Sequence, residues 1–372
     1  MAFLGNLFKK EVRSVLGIDI GSSSIKVVQI TKKNSQAVLE TYGELSLGPY
    51  GNSGVGQSVV LPAETISRAL NDLMKEKEVN VTTNKCGMSI PFASSLMSVM
   101  ELPEVSSKQL SVMVPLEARK YIPVPISEVM LDWSIIPKTE IVDEDREDEG
   151  SKKDGPNKAI PKINVLVVAI HNATLARFQE IVAKSKVLAS FFEIEIFSTM
   201  RSVLDDTITP VMIVDMGASS TKLYIVERGV VQESHTVNRG SQEITLSMSR
   251  ALNISVDEAE VIKRESGLMT EDKNVSDIIS LTLGQIFTEA NRTLLAFEKK
   301  RNKTVSKVMM VGGGAALKGL VDLAKNNFQT DVVVANPFGK LAVPTFLEKV
   351  LEETGPEFAV AIGLALRRLA EE

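Results

Sequence analysis

The sequence predicts an α/β protein built from two related lobes, and three stretches carry that prediction. Each is a β-branched apolar run ending in an acidic or glycine-rich turn, the pattern of a buried strand meeting a loop. The first reads Val15-Leu16-Gly17-Ile18-Asp19-Ile20-Gly21-Ser22-Ser23-Ser24-Ile25-Lys26-Val27-Val28, two strand-like segments joined by a Gly/Ser turn. The second, over 211–225, repeats it: with Asp19 laid on Asp215, Gly21 falls on Gly217, Ser23 on Ser219, Ser24 on Ser220 and Lys26 on Lys222. A recurrence after 196 residues is far longer than a solenoid or propeller unit, so it marks an internal duplication into two lobes. The third stretch, 308–316, places Gly312-Gly313-Gly314 between a strand and a helix-like segment at 317–325, within the second lobe.

The elements between these landmarks follow from periodicity. Residues 63–77 predict an amphipathic helix with Ile66, Ala69, Leu70 and Leu73 on one face, and 107–121 a second helix between Pro103 and Pro123. A strand at 129–136 leads to 138–158, an acidic stretch with almost nothing apolar that reads as a solvated loop or disordered insert, or else a site for a basic partner. A buried strand at 163–170 and a helix at 173–184 complete an α/β module that interrupts the first lobe. Residues 255–265 and 277–300 predict helices of the second lobe. The apolar segment 357–369, opened by Pro356 and carrying Ala361, Gly363 and Ala365, predicts a closely packed final helix. The expected domains are 12–100 with 191–206 and 341–372 as the first lobe, 101–190 as the inserted module and 207–340 as the second lobe.

Composition narrows the function. The 372 residues suffice for about two domains, and 44% hydrophobic with 24% charged residues excludes disordered, collagen-like and coiled-coil chains. A net charge of −5 gives no electrostatic footprint for nucleic acid, so none is expected as a partner. The single cysteine, Cys86, excludes an intramolecular disulfide and, with only His171 and His235 beside it, argues against a zinc site. No apolar run approaches the roughly 18 residues that span a bilayer. The leader, with Phe3, Leu4, Leu7 and Phe8 before Lys9 and Lys10, lacks the order of a signal peptide. A cytoplasmic protein is expected, its leader covering the first sheet or serving as a weak interfacial foot.

Turns of small residues let backbone N–H groups converge on phosphate oxygens. An aspartate at the start of such a turn would repel phosphate unless a divalent cation lay between them. Asp19 and Asp215 are therefore candidate magnesium holders, with Lys26 and Lys222 supplying neutralising charge. Gly21, Ser22, Ser23 and Ser24, and Gly217, Ala218, Ser219 and Ser220, are the candidate phosphate contacts. Gly312, Gly313, Gly314 and Ala315 suit close approach to a flat base or to phosphate at a helix amino terminus. Read singly, each Asp-x-Gly is also an ordinary β-turn, and the glycine run a packing device. Neither a Walker P-loop nor a strand-anchored Gly-x-Gly-x-x-Gly occurs.

In their order and spacing the three stretches resemble the phosphate 1, phosphate 2 and adenosine motifs of the actin, heat-shock chaperone and sugar kinase superfamily. Ala259-Glu260-Val261-Ile262-Lys263-Arg264 resembles that superfamily's ribose- and adenine-holding helix, which implicates Glu260 and Lys263. Within the superfamily the chain is similar over essentially its full length to the PilM-type proteins of bacterial type IV pilus assembly. The likeness rests on Phe3-Leu4-Gly5-Asn6-Leu7-Phe8-Lys9-Lys10, on the first hairpin, on Leu116-Glu117-Ala118-Arg119-Lys120-Tyr121-Ile122-Pro123 and on the segment from Phe358 to Arg367.

The resemblance implies an actin-like, ribonuclease H-like two-lobed ATPase fold with an inserted 1C-type subdomain. It implies ATP and magnesium as cofactors, a place at the cytoplasmic face of the inner membrane, and a role in twitching motility. Its implied partner is the cytoplasmic amino-terminal peptide of a PilN-like membrane protein, docked between subdomains 1A and 1C, with Tyr121, Ile122 and Pro123 as candidate groove residues. A homo-oligomer is left open. In Phe192-Glu193-Ile194-Glu195-Ile196, Glu193 stands where the family commonly has aspartate, and Glu195 is a candidate to orient water against the γ-phosphate, or else a hinge carboxylate. Binding rather than turnover is expected, with slow hydrolysis at most. An FtsA-like division protein would carry a basic amphipathic helix after the final apolar segment, where this sequence stops. A small-molecule kinase would need a catalytic aspartate soon after Lys32, and no candidate stands there.

Overall fold

The apolar run before Asp19 forms β1 (Ser14–Ile20), and the run after the Gly/Ser turn returns beside it as β2 (Ser24–Lys33), antiparallel, with Asp19 opposite Lys26. A turn at Asn34 and Ser35, both at positive φ, leads to β3 (Gln36–Ser46). The amphipathic segment forms α1 (Ala63–Lys75), and β4 (Lys85–Ile90) pairs parallel with β1. In this computed structural model, residues 14–136, 161–205 and 208–372 are described. The leader and the acidic 138–158 stretch, for which a sheet-covering segment and a solvated loop were expected, lie outside the described residues.

The chain divides into two compact units, one of them Phe92–Arg177. In that unit β5 (Ser95–Pro103) is followed by the helix α2 (Ser107–Ala118), and β5, β6 (Val129–Ile136) and β7 (Lys162–His171) form an antiparallel sheet in the order β5-β7-β6. Leu110, Val114 and Ala118 of α2 pack on one face of it, with Val165, Val167 and Ala169 of β7. The expected 101–190 module differs at both ends. All of β5 pairs with β7, which moves the boundary towards the amino terminus, and the carboxyl-terminal part of α3 (Asn172–Lys184) puts Phe178 and Ile181 into the core of the first lobe.

The chain resumes the first sheet with β8 (Leu188–Ile194), giving the order β3-β2-β1-β4-β8, and continues into α4 (Glu195–Val203). The second lobe starts with the hairpin β9 (Val211–Met216), β10 (Thr221–Glu227) and β11 (Val230–Val237). Helices α5 (Ser241–Leu252), α6 (Val256–Glu265) and α7 (Lys273–Arg301) follow, then β12 (Lys307–Val311), α8 (Leu320–Asn327) and β13 (Asp331–Val334). The order β11-β10-β9-β12-β13 repeats that of the first sheet, as does the succession of two antiparallel and two parallel pairs, so the duplication read in the motifs is also one of topology. Helix α8 starts three residues later than expected because Gly319 is left-handed, at φ +80°, and interrupts the segment.

After α9 (Glu348–Thr354), α10 (Ala359–Ala370) returns to the first lobe. Ala361, Ile362 and Ala365 cover Val15, Val28 and Ile30 on the sheet face opposite α1. Gly17 and Gly363 make this approach possible: a Cβ on Gly17 would lie 1.9 Å from Ala361 O, and one on Gly363 1.9 Å from Ser198 O. On the other face, Ile66, Ala69, Leu70 and Leu73 are all buried, as their spacing requires; each large one contributes about 1.5–3 kcal/mol. Among the described residues no helix is long and apolar enough to cross a membrane.

Candidate functional site

A cavity of about 320 Å³ lies where the two hairpins meet, in the size range of small-molecule sites. Asp19, Gly21 to Ser24 and Lys26 line it from one hairpin, and Asp215, Gly217 to Ser220 and Lys222 from the other. Gly312, Gly313, Gly314, Glu195, Glu260 and Lys263 also line it. Ala315 does not reach it: the short helical turn Gly313–Ala316 buries Ala315 in the second lobe's core and presents Ala316 instead.

The turns are built alike. Gly21 N–H donates to Ser24 O at 2.9 Å, and Gly217 N–H to Ser220 O at 3.0 Å. Around Asp19, Ser89 Oγ donates to Oδ1 at 2.7 Å and accepts from Ile20 N–H at 3.2 Å. Burial pushes the Asp19 carboxyl above its ordinary range, against the opposing pull of Ser89, Lys26 and Lys222. That Asp19 feels Lys222 and Asp215 is itself a mark of how closely the hairpins converge. Lys26 Nζ lies 2.9 Å from Glu44 and 3.8 Å from Glu357. Burial disfavours its charge, but those carboxylates outweigh burial and raise its pKa.

In the second hairpin, Lys222 Nζ lies 2.9 Å from Glu195 Oε2 and 3.4 Å from Asp215 Oδ2. Burial again opposes its charge, and Asp215 and Glu195 again outweigh it. Glu195 opens α4 of the first lobe, so this pair joins the lobes beneath the cavity. On α6, Glu260 accepts from Lys263 at 2.6 Å, Thr245 at 2.7 Å and Arg264 at 2.7 Å. Burial depresses the Lys263 pKa despite Glu260. Glu193 does not line the cavity. It is buried and takes two bonds from Arg201 and one from Arg367, holding α4 against α10 and so fixing the helix that carries Glu195.

Sequence reasoning missed Glu44, Ser89, Arg264 and Glu357. Glu44 could be found only from the β2–β3 register, which puts it opposite Lys26. Ser89 follows Met88, the parallel partner of Ile18. No local pattern marks Glu357.

Magnesium fits the donors present in one particular way. Among the described residues no three Asp, Glu, His or Cys side chains gather around a metal position. Magnesium, however, is commonly held by one or two carboxylates and completes its shell with water and phosphate oxygens. Asp19 and Asp215 suit an ion that arrives with phosphate. The lining also carries six carboxylates, Asp19, Glu44, Glu195, Asp215, Glu260 and Glu357, against four cations, Lys26, Lys222, Lys263 and Arg264. A polyphosphate without a cation would meet net repulsion there.

The candidate groove residues separate. Tyr121 is 49% exposed and Pro123 is exposed, whereas Ile122 is 6% exposed and belongs to the smaller unit's own core. Ile122 is therefore removed from the groove set: the chain ends α2 at Ala118 and tucks this side chain inward before Pro123.

The family model for type IV pilus assembly protein PilM matches residues 17–369. The chain belongs to the PilM family. The structure of a PilM–PilN type IV pilus biogenesis complex superposes with a TM-score of 0.78 at 23% identity, over 95% of this chain and 98% of that one. MreB 5 of Spiroplasma citri bound to AMPPNP superposes with a TM-score of 0.51 at 11% identity, over 96% of each chain. Cell division protein FtsA of Enterococcus hirae is 20% identical over 357 residues, 87% of this chain and 78% of its own. The fold is the actin-like ATPase fold expected from the motifs.

Proposed function

We propose that this PilM-family chain binds Mg-ATP between its lobes and, in that closed form, serves type IV pilus assembly as a scaffold at the cytoplasmic face of the inner membrane. The observation that carries the reading is the convergence of two duplicated hairpins, each offering an aspartate and a lysine, on one cavity. The relative bound to AMPPNP and the family membership support it. In this reading the backbone of Gly21 to Ser24 and of Gly217 to Ser220 holds phosphate, Gly312 to Gly314 faces the base, and Glu260 and Lys263 hold the ribose and adenine. Asp19 and Asp215 hold magnesium, which supplies the charge that lets phosphate enter an acidic cavity. Glu195, fixed by Lys222, orients water for slow hydrolysis. A ligand gripped from both lobes favours the state in which both sets of contacts form, so binding closes the cleft.

The partner in this reading is the cytoplasmic amino-terminal peptide of a PilN-type membrane protein, met on the smaller unit by Tyr121 and Pro123. The PilM–PilN complex supports that choice. Purified protein incubated with Mg-ATP and freed of unbound nucleotide should retain largely intact ATP. Rapid conversion to ADP would turn the reading towards a cycling enzyme, and no bound nucleotide would overturn it. Tyr121→Asp should abolish retention of a PilN-type peptide, and equal retention by the variant would remove that surface.

A further inference from the structure

The segment between β3 and α1 spans the cleft. Its two ends are tied to the first hairpin: Leu47 N–H donates to Ser23 O at 2.8 Å and Val59 N–H to Ser22 O at 2.9 Å. Its middle runs directly against α6 of the other lobe. A Cβ on Gly54 would lie 2.0 Å from Asp257 Oδ1, and one on Gly56, at φ +80°, 2.5 Å from Glu260 Oε1. The positive φ at Gly56 favours glycine there, and at both points the backbone passes close beside a carboxylate of α6. Between them and the first hairpin, Ser58 N–H donates to Gln242 Oε1 at 3.1 Å, across 184 residues.

Gln242 stands in the first turn of α5, and its own N–H donates to Ala218 O of the second hairpin at 3.0 Å. One side chain thus completes a path between the two turns that line the cavity. It runs from Ser22 O to Val59 N–H, through the adjoining Ser58 N–H to Gln242 Oε1, and from Gln242 N–H to Ala218 O. We infer that Gln242 is a positioning residue that bridges the two phosphate-side hairpins, so that nucleotide leaves only when its bond to the Ser58 amide opens.

The inference rests on the nucleotide reading above and adds to it a residue that touches no ligand. Separating the lobes must break the Ser58–Gln242 bond, whereas the backbone bond from Gln242 to Ala218 lies within one lobe and survives. The bridge therefore acts on the rate of opening rather than on the shape of the cavity. An acceptor is what the position requires: Gln242→Glu keeps one, and Gln242→Met keeps the length without it.

Protein loaded with magnesium and a fluorescent ATP analogue is chased with excess ATP, and release is followed. Gln242→Met should release the analogue about five- to tenfold faster than wild type, the effect of one neutral hydrogen bond, while Gln242→Glu stays near wild type. Unchanged release in Gln242→Met overturns the inference, as does equal acceleration in both variants, which would trace the effect to bulk rather than to the acceptor. A wild type that retains no analogue overturns the nucleotide reading instead. The bridge is then judged from the distance between spin labels at the exposed positions of Lys33→Cys and Lys299→Cys in nucleotide-free protein. Gln242→Met should broaden that distribution and Gln242→Glu should not; an unchanged distribution in Gln242→Met overturns the inference on this readout too.

Discussion

The two hairpins share a register, Asp19 opposite Lys26 and Asp215 opposite Lys222, but hold their aspartates by different means. Asp19 is fixed by a neutral hydroxyl from the neighbouring strand of its own sheet. The place next to Asp215 in the second sheet is taken by Val311, its parallel partner on β12, whose side chain has nothing to donate. Asp215 relies on Lys222, and Lys222 on Glu195 of the other lobe. The duplication therefore preserved the groups that face the cavity and replaced the groups behind them. One aspartate is oriented by its own lobe, and the other by how the lobes stand against each other.

The largest expected effect comes from removing the charged support. Lys222→Met leaves Asp215 and Glu195 buried without their cation and should lower the unfolding free energy by about 3–5 kcal/mol in urea titrations. Lys26→Met should lower it clearly less, because Glu44 and Glu357 have side chains 35% and 23% exposed and water takes up part of the role. Equal losses would break the comparison.

The next test reads a difference in sign. Asp215→Asn weakens an ion pair and should destabilise nucleotide-free protein by about 1–3 kcal/mol. Asp19 behaves oppositely. Its folded pKa lies above the ordinary 3.8, chiefly through burial, so the folded state holds the proton more tightly than the unfolded one. The stability due to the protonated form is complete below the ordinary value and is lost as pH rises through the folded one. Asp19→Asn should accordingly stabilise nucleotide-free protein at pH 7 and flatten its decline above pH 4, while abolishing magnesium-dependent nucleotide retention. Stability curves against pH for the two variants that slope alike would refute the assignment.

The smallest effect is expected at Ser89. Ser89→Ala removes the donor to Asp19 and the acceptor for Ile20 N–H, which should lower stability by about 1 kcal/mol and raise the magnesium needed for half-maximal retention. Loss of stability with no change in the magnesium requirement would make Ser89 a packing residue only.

What could be read in advance divides along the same line as the two kinds of support. Asp19, Lys26, Asp215, Lys222 and the three glycines lie in contiguous motifs, whose duplication and superfamily resemblance pointed to the one cavity they line. The buried face of α1 was equally legible, because 3.6-residue periodicity is a local property, and the small residues of 357–369 marked the close packing of α10. Glu44 depends on a strand register that shifts by one residue at a bulge between Gln29 and Ile30, and Ser89 and Glu357 depend on pairings across long stretches of chain. Ala315 differs from Ala316 only in the phase of a short helical turn. Ile122 differs from Tyr121 only in which way the chain leaves α2. These are outcomes of tertiary packing, to which a one-dimensional pattern is blind.

The seat of α10 on β1 also sets an order for synthesis. The second sheet, β9 to β13, is contiguous in the chain and can close as soon as β13 has left the ribosome. The first sheet cannot: Val15, Val28 and Ile30 are made early, and the helix that covers them spans 359–370. One apolar face of the first lobe thus stays bare while more than three hundred residues are added, the interval in which a nascent chain is most open to aggregation and to chaperone capture.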